Sequence, residues 1–275
     1  TNGPGNCCGF NQPTFTAVNQ FRTKDGLPLF DGAYNAAANV VKNDYQINAD
    51  EAFTEDAGPV DPRLDHSVGR RGIPYLDWQE HPGKAWIRDQ NYAGPYSPKK
   101  FIYYKTQENT FTDGSSWTRG YATMNVPIIR FGDLLLMAAE AEIQTGNLDK
   151  GMALINRVRA RAADPAGWVM EYDGSGPAAN YEISMYSSFA SKDVAMKALK
   201  AERLLELAQE GHRFWDLVRW GDAATFINGV YLPFDSKLLV TKFGGAKFTA
   251  GKSEYMPIPQ AQLDIQPALS QNPGY

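Results

Sequence analysis

Aromatic residues are concentrated in one part of the chain, between positions 73 and 121. These 49 residues include eleven aromatic side chains, about 22%, whereas the aromatic fraction of the whole sequence is 12%. Flat aromatic faces stack on sugar rings, and amides, carboxylates and guanidinium groups hydrogen-bond sugar hydroxyls. The segment therefore has the chemistry of a glycan-binding surface. The candidate ligand-binding residues are Trp78, Trp86, Trp117, Tyr92, Tyr96, Arg88, Asn91 and Asp113.

No helical or strand period orders these tryptophans. The segment is therefore predicted to consist mainly of loops, where binding residues concentrate. One alternative stays open, in which the large aromatic side chains only anchor an irregular segment to the rest of the fold. A substitution separates the two: it removes ligand binding in the first case, and in the second it does nothing or lowers stability.

A second group of residues, between positions 202 and 216, is rich in charge. Paired carboxylates about 5 to 10 Å apart carry out glycoside hydrolysis, and Glu206 and Glu210 are one helical turn apart. Arginines are interleaved with these carboxylates at helical spacing, however, which favours ion pairs between helices. A catalytic acid also needs a pKa raised by burial without such partners. We therefore predict a structural role and no catalysis for Glu202, Arg203, Glu206, Glu210, Arg213 and Asp216.

Other kinds of site have little support in the sequence. His66, His81 and His212 are isolated, and the adjacent Cys7 and Cys8 lack the spacing of zinc ligands. We therefore expect no metal and no cofactor. A net charge of -4 and scattered basic residues argue against a nucleic-acid partner. No apolar run approaches the roughly 20 residues needed to cross a bilayer.

The chain divides into two parts by composition. Positions 1–120 are rich in Gly, Pro, Asn and Asp, which favour turns and irregular connections. Only a short helix at 35–45 and a strand at 101–105 are predicted there. Positions 121–275 contain helical patterns instead. We expect a loop-rich segment that carries the ligand face and a helical region, joined in one continuous domain.

Three helices are predicted in the second part. Positions 131–141 carry apolar residues at the spacing of one helical face, Gly146 is suited to end this helix, and Asn147 is suited to cap the next. Their short junction predicts an antiparallel hairpin. The longest helix is expected over 192–210, ended by Gly211. These patterns predict a mainly α-helical fold with tetratricopeptide-like hairpins. The apolar face of the first helix consists of Phe131, Leu134, Leu135, Ala138 and Ala141.

Several longer motifs support a more specific assignment. Arg130–Ala141 has the form Arg-x-x-Asp-x-Leu-Leu-x-x-Ala-Glu-Ala, and the most distinctive motif runs from Glu202 to Gly221. In their order and spacing, these motifs resemble the SusD/RagB family. The resemblance extends over positions 61–275, which correspond to the second half of a typical member. The remaining motifs are Asp61–Leu64, Asn156–Arg161, Pro257–Pro259 and Gln271–Tyr275.

The resemblance implies a binding protein without catalytic activity, lipid-anchored at the surface of the bacterial outer membrane. Its implied partners are oligosaccharides or polysaccharides and a TonB-dependent, SusC-like transporter that receives the sugar. The family's lipidated cysteine does not occur in this sequence. Contact with the membrane is therefore expected only through an anchor outside this chain. Two alternatives remain open: a helical scaffold that docks the transporter without its own sugar site, and a protein that binds a nutrient other than a glycan.

Overall fold

A computed structural model describes residues 3–4, 10–112 and 123–275. Up to residue 112, the described chain contains short elements joined by loops. Two-residue strands pair there as antiparallel ladders, β1 with β2, β3 with β6 and β4 with β5. The elements are helices α1 (Phe15–Asn19), α2 (Leu64–Ser67) and α3 (Gln90–Ala93), and strands β1 (Thr23–Lys24), β2 (Leu27–Pro28), β3 (Val68–Gly69), β4 (Pro74–Tyr75), β5 (Gln79–Glu80) and β6 (Ser97–Pro98).

Two predictions for this part are wrong. Positions 35–45 form no α-helix and positions 101–105 form no strand. Single 3-10 turns occur nearby, at Ala33–Asn35 and Lys105–Gln107. The Asn35 side chain accepts a hydrogen bond from Asn19 and donates one to Thr16. Such side-chain hydrogen bonds compete with those of a helix, which explains the first error.

Three long helices form the centre of the second part: α4 (Phe131–Gln144), α5 (Leu148–Ala163) and α6 (Lys192–Glu206). Their contact faces enclose a hydrophobic core, and the mainly helical prediction is confirmed. Further 3-10 turns lie at Gly83–Trp86 and Pro165–Gly167. The buried members of this core are Leu136, Ala139, Ile143, Ile155, Val158, Tyr186, Ala195, Ala198 and Leu199.

The junction between α4 and α5 confirms the predicted hairpin. Gly146 has a φ of 90°, and the amide of Asn147 donates to the carbonyl of Glu142 at 2.8 Å. This is the glycine-ended Schellman geometry expected at a helix C-terminus. Farther along, the helices approach closely at Gly151, where an added Cβ would lie 2.5 Å from Cγ1 of Ile143.

The buried face of α4 differs from the predicted one. Phe131 and Leu134 are 61% and 50% exposed, whereas Leu136 is fully buried. Because α4 is apolar around most of its circumference, spacing alone does not select a face. The buried Asp133 accepts from Arg203 of α6 at 2.8 Å, and this ion pair is consistent with the rotation that α4 adopts. An apolar stripe is therefore left exposed.

Helix α6 ends four residues before the predicted position. Its last carbonyl, that of Glu206, accepts hydrogen bonds from Nη2 of Arg130 and from Nζ of Lys100. Cationic donors satisfy the free carbonyls of a helix C-terminus and interact favourably with its dipole. Gly211, with a φ of 83°, precedes the next helix, α7 (His212–Arg219), rather than ending α6.

The chain after α7 contains one long helix with an irregular turn. Here α8 (Ala223–Phe226) continues through a π-helical turn (Ile227–Tyr231) into α9 (Leu232–Leu238) without leaving helical backbone angles. Two short helices follow, α10 (Val240–Phe243) and α11 (Gln260–Ile265).

A second hydrophobic core joins the two parts of the chain. Asp235 of α9 accepts hydrogen bonds from the amides of Phe15 and Thr16 in α1, at 3.0 and 3.1 Å. The buried members of the second core are Phe15, Val18, Phe21, Val41, Val60, Leu64, Val68, Tyr96, Tyr181, Leu205 and Leu239.

Among the residues described, no helix has the length and apolarity needed to cross a membrane.

Candidate functional site

The turn between β4 and β5 carries Trp78, the first of the predicted ligand residues. Leu76 in this turn has a φ of 54°, a left-handed conformation that is unfavourable for a leucine. Its carbonyl accepts a hydrogen bond from the Tyr172 hydroxyl at 3.0 Å. Nε1 of Trp78 donates to the carbonyl of Tyr103 at 3.1 Å, and the two rings meet edge-on at 5.6 Å. The turn is therefore fixed on both sides.

Asp77 of the same turn completes this arrangement. Its carboxylate accepts hydrogen bonds from the amides of Lys105 and Thr106, at 2.5 and 3.0 Å. Burial raises the pKa of this carboxyl, but the hydrogen bonds from Thr106 and Lys105 outweigh burial and hold the pKa below its usual value. Strained backbone held by several contacts is often found at binding sites, where it presents a side chain in a fixed orientation.

Trp86 is half-buried in an aromatic cluster. Its ring makes edge contacts with Tyr75 at 5.5 Å and with His81 at 5.3 Å. Gly3 lies against the indole, since a Cβ added to Gly3 would be 2.9 Å from Cγ of Trp86. These contacts occupy much of the ring and favour a packing role for Trp86.

Three predicted residues lie close together on and beside α3. Tyr92 is 58% exposed, with Nζ of Lys242 4.9 Å from its ring centre. Asn91 is exposed and accepts a hydrogen bond from Gln46 at 2.6 Å. Arg88 is also exposed. They form a polar surface with one accessible aromatic ring.

Tyr96 does not lie on a ligand-accessible surface. It is 1% exposed, and its ring meets Phe15 edge-on at 5.9 Å within the second core. Composition alone does not distinguish a packed tyrosine from an exposed one, which explains this departure from the prediction. Trp117 and Asp113 lie outside the described residues, as do Cys7 and Cys8.

An open cleft lies beside the β4–β5 turn. It has a volume of about 600 Å³, and its wall includes Tyr172, which is 50% exposed. Sequence reasoning missed Tyr172 because it is remote from the aromatic-rich segment, in the Gly-rich loop 164–180. An isolated tyrosine in such a loop was the only signal. The residues lining the cleft are Ala49, Glu55, Arg71, Gly72, Gln79, Glu80, His81, Pro82 and Tyr172.

The cleft is polar and negatively charged. Burial and the nearby carboxylates of Glu80, Asp173 and Glu55 raise the pKa of Glu171. The Arg71 guanidinium donates to backbone carbonyls, including that of Asn48 at 3.0 Å, so its position is fixed. The cleft therefore offers hydrogen-bonding groups and one aromatic face, with an excess of negative charge.

His81 at the back of the cleft is neutral. Its Nδ1 accepts from the amide of Gly83 at 3.0 Å, so Nε2 carries the proton and donates to Oγ of Ser97 at 2.9 Å. Burial, with a smaller effect from Lys99, lowers the pKa of His81 to about 3. Both ring nitrogens are occupied, and this histidine positions the cleft rather than acting as an acid or base.

The charged motif residues form a buried ion-pair network. The carboxylate of Glu206 accepts hydrogen bonds from three arginines: from Nη1 of Arg63 at 3.2 Å, from Nη2 of Arg161 at 2.6 Å and from Nη1 of Arg130 at 2.5 Å. Burial alone raises the pKa of Glu206, but these arginines outweigh it and lower the pKa to about 2. A carboxyl that stays ionised at neutral pH cannot donate a proton as a general acid. The ion-pair interpretation is confirmed for Glu202, Arg203, Glu206, Glu210 and Asp216. Arg213 departs from it, since it forms no ion pair with a described residue.

Other motif residues also have structural partners. Asn156 bonds the amide of Tyr186 at 2.9 Å and its carbonyl at 2.8 Å. At the C-terminus, the Gln271 amide group binds both the amide and the carbonyl of Ile258. The motifs therefore hold the fold together. Across the described ranges, no group of three or more His, Cys, Asp or Glu residues is arranged to hold a metal ion.

Comparison with known proteins agrees with this fold. The profile of the SusD family matches residues 1–275. A SusD-like protein of Formosa agariphila is 33% identical over 109 residues, which are 38% of this chain and 20% of that protein.

Two solved structures of SusD-like proteins have a similar fold. A SusD superfamily protein from Bacteroides vulgatus superposes with a TM-score of 0.54 at 23% identity. The superposition covers 93% of this chain and 48% of the Bacteroides vulgatus protein. A SusD-like protein from Bacteroides fragilis has a TM-score of 0.56 at 17% identity, covering 96% and 47%. The chain spans about half the length of these solved relatives.

The mainly helical fold with its loop-rich regions matches that of SusD-like structures. The chain belongs to the SusD family, which consists of carbohydrate-binding proteins without catalytic activity.

Proposed function

We propose that this chain captures glycans at the bacterial cell surface and delivers oligosaccharides to a TonB-dependent, SusC-like transporter. The observation that carries the proposal is the fixed β4–β5 turn beside the Tyr172 cleft. Tyr172 holds the carbonyl of Leu76 and lines the cleft with half of its surface exposed. A pre-positioned aromatic ring loses little conformational freedom when a sugar stacks on it.

Binding needs no covalent step. A sugar ring stacks on Tyr172, while the exposed side chains of Gln79 and Glu80 exchange hydrogen bonds with its hydroxyls. The exposed Tyr92, with Asn91 and Arg88, offers a second contact surface for a longer polymer. Stacking of an aromatic pair contributes about 0.5–1.5 kcal/mol beyond the area it buries, so each contact is weak and a chain of contacts is needed.

The charge of the cleft selects among glycans. The carboxylates of Glu55 and Glu80 line the cleft together with one cation, Arg71, and Glu171 lies near both carboxylates. Negative groups on a glycan would be repelled by these carboxylates, and such repulsion between like charges disfavours binding. We therefore expect neutral polysaccharides to bind, and polymers that carry uronate or sulfate groups to be excluded.

Family membership supports the location. The SusD family implies a surface-exposed outer-membrane lipoprotein, and delivery to a transporter follows from such a position. The exposed apolar stripe of α4 is available for contact with another protein.

The test is affinity electrophoresis of the chain through gels containing neutral or acidic polysaccharides, with calorimetry on each hit. We expect retardation by a neutral polymer, no released sugar, and a loss of retardation in Tyr172→Ala. Tyr172→Phe, which keeps the ring but loses the hydrogen bond to Leu76, should bind more weakly than the native chain. Trp215→Ala is the matched control, because Trp215 is an aromatic residue on α7 that is 64% exposed.

Retardation that persists in Tyr172→Ala would place the sugar site elsewhere. If no polysaccharide or oligosaccharide retards the chain, the proposal of glycan capture by this chain fails. A scaffold without its own sugar site would then be the better interpretation. That role would be supported by purified transporter binding the native chain but not a Leu134→Glu variant.

A further inference from the structure

Two cavities meet at the side chain of Arg213, near the start of α7. The first has a volume of about 300 Å³ and lies between α6, α7 and residues 29–34. The second, of about 310 Å³, lies between α7, α1 and the π-helical turn. Each matches the lower end of the size range of small-molecule sites, and neither shares a lining residue with the Tyr172 cleft. The residues common to both cavities are Gln20, Leu204, Arg213, Leu217 and Phe226.

The Arg213 guanidinium has hydrogen-bond donors that the described residues leave unused. No described residue accepts a hydrogen bond from its guanidinium or forms an ion pair with it, and Nε is buried. The nearby carboxylates are engaged elsewhere. Asp216 binds Arg203 at 2.8 Å, and Asp222 binds Lys200 at 2.5 Å. Asp216 and Asp222 are close enough to act on the half-buried guanidinium through their charge, but its donors remain free to hydrogen-bond an anionic ligand.

A second hydrogen-bond donor faces the first cavity. Nε2 of Gln20 donates to the Tyr34 hydroxyl oxygen at 2.9 Å, which leaves the hydroxyl proton for another acceptor. Burial raises the pKa of Tyr34, so the proton stays on the ring oxygen at neutral pH. The Arg213 guanidinium carbon lies 4.8 Å from the ring centre of Phe226, a stacking contact that leaves its edges open for hydrogen bonds.

Apolar side chains form most of the remaining wall. Leu204, Leu217 and Phe226 line both cavities, and Val230 lines the first. Asp31, Lys197, Lys200 and Asp222 also line the first cavity, but the wall of the second is mainly apolar. A sugar placed in the second cavity would lose hydrogen bonds from its hydroxyls to water without replacing them, which is unfavourable. An apolar molecule with a single anionic group fits this wall better.

We propose that the cavities at Arg213 bind a small carboxylic acid with an apolar body, such as an aromatic or branched aliphatic acid. A planar carboxylate matches the two-pronged donor geometry of a guanidinium and accepts from the Tyr34 hydroxyl as well. The apolar body occupies the space bounded by Leu204, Leu217 and Phe226. This site is independent of the proposed glycan site.

The test is isothermal titration calorimetry of the chain with phenylacetate. Phenylacetamide is the control for charge, because it has the same ring without the carboxylate. Glucuronate is the control for the apolar body, because it carries a carboxylate on a hydroxylated ring. We expect phenylacetate to bind at least about tenfold more tightly than either control. Equal binding of all three compounds, or no binding of phenylacetate, overturns the proposal.

Variants locate the site. Arg213→Gln should weaken phenylacetate binding by about tenfold or more, and Tyr34→Phe should weaken it about threefold, as expected for one neutral hydrogen bond. Lys197→Gln is the control, since Lys197 lines the first cavity but is already paired with Asp31 at 2.5 Å. Thermal unfolding with and without phenylacetate adds a second readout. Phenylacetate should raise the Tm of the native chain and leave that of Arg213→Gln unchanged, whereas an equal rise for both proteins would contradict the proposal.

The same carboxylate chemistry could come from a protein side chain, because the solved relatives are about twice as long as this chain. Repeating the titration on a polypeptide of that length separates the two sources. Retained phenylacetate binding identifies a free acid as the ligand. Binding that is present in this chain but lost in the longer polypeptide identifies an Asp or Glu of the added segment as the occupant.

Discussion

Arg159 of α5 donates through Nη1 to Oε2 of Glu202 in α6 at 2.8 Å, and both side chains are completely buried. The same arginine donates to the carbonyls of Ser184 and Gly26, at 2.7 Å each. One guanidinium therefore links two helices of the second part with a loop of the first. Arg63, from that first part, is also bound to Glu202, which makes Glu202 the meeting point of both parts.

Glu202→Ala should destabilise the protein strongly. Removing one partner of a buried ion pair leaves the other charge unpaired and costs about 3–5 kcal/mol. Lys197→Ala is the matched control, because its ion pair with Asp31 has side chains that are 51% and 69% exposed, and such pairs contribute about 0–1 kcal/mol. Urea unfolding of both variants measures the difference. Equal losses would show that the buried network is not a major source of stability.

Two leucines of α4 should respond very differently to truncation. Leu136 is fully buried, so Leu136→Ala should lower the free energy of unfolding by about 2–5 kcal/mol. Leu134 is 50% exposed, so Leu134→Ala should change it by only about 0.5 kcal/mol. Chemical denaturation of the two variants tests which face of α4 is buried. A larger loss of stability in Leu134→Ala than in Leu136→Ala would show that the face predicted from the sequence is the buried one.

The stability of the protein should depend on Glu206 at acid pH. The folded-state pKa is about 2, below the usual value of 4.5, so ionised Glu206 contributes stability above pH 4.5 that is lost as the pH falls toward 2. The contribution is on the order of 3 kcal/mol. The free energy of unfolding of the native chain should therefore fall more steeply below pH 4.5 than that of Glu206→Gln. If the free energies of unfolding of the two proteins changed with pH in parallel, the lowered pKa of Glu206 would be contradicted.

Asp235 should act in the opposite direction. Burial, only partly offset by hydrogen bonds from Thr16 and Phe15, raises its folded-state pKa from 3.8 to about 6. Its protonated form is favoured by folding, so stability from this group is present below pH 3.8 and is lost as the pH rises through 6. Asp235→Asn should gain stability relative to the native chain over this range, by an amount on the order of 3 kcal/mol. A constant difference between pH 4 and 7 would argue against the raised pKa.

Local signals in the sequence predicted the helix hairpin well. Gly146 lies in the left-handed conformation that ends α4, and α6 begins at Lys192 as expected, because these positions depend on nearby residues. The end of α6 depends instead on Arg130 and Lys100, which are distant in the chain and bind the carbonyl of Glu206. The side chains that bury one face of α4 come from other elements too, and no periodicity in α4 itself contains that information.

The candidate site was predicted only in part. The aromatic-rich segment does contain the fixed turn with Trp78, but exposure separates Tyr92 on the surface from Tyr96 in the core, and exposure is set by the surrounding fold. Tyr172 joins the turn from a loop nearly 100 positions away, through its hydrogen bond to Leu76. A contact of that kind has no signature in either segment alone.

The π-helical turn at Ile227–Tyr231 makes this region sensitive to chain length. A π turn closes i→i+5 hydrogen bonds, so it holds about one residue more than an α turn and leaves the segments on either side in nearly the same relative orientation. Deleting one residue within the turn should therefore restore an ordinary α turn and keep Asp235 facing the amides of Phe15 and Thr16. Deleting one residue from α8 or α9 would instead rotate everything after it by about 100°. Natural variants of this protein should therefore tolerate the loss of one residue in the turn better than in the helices on either side.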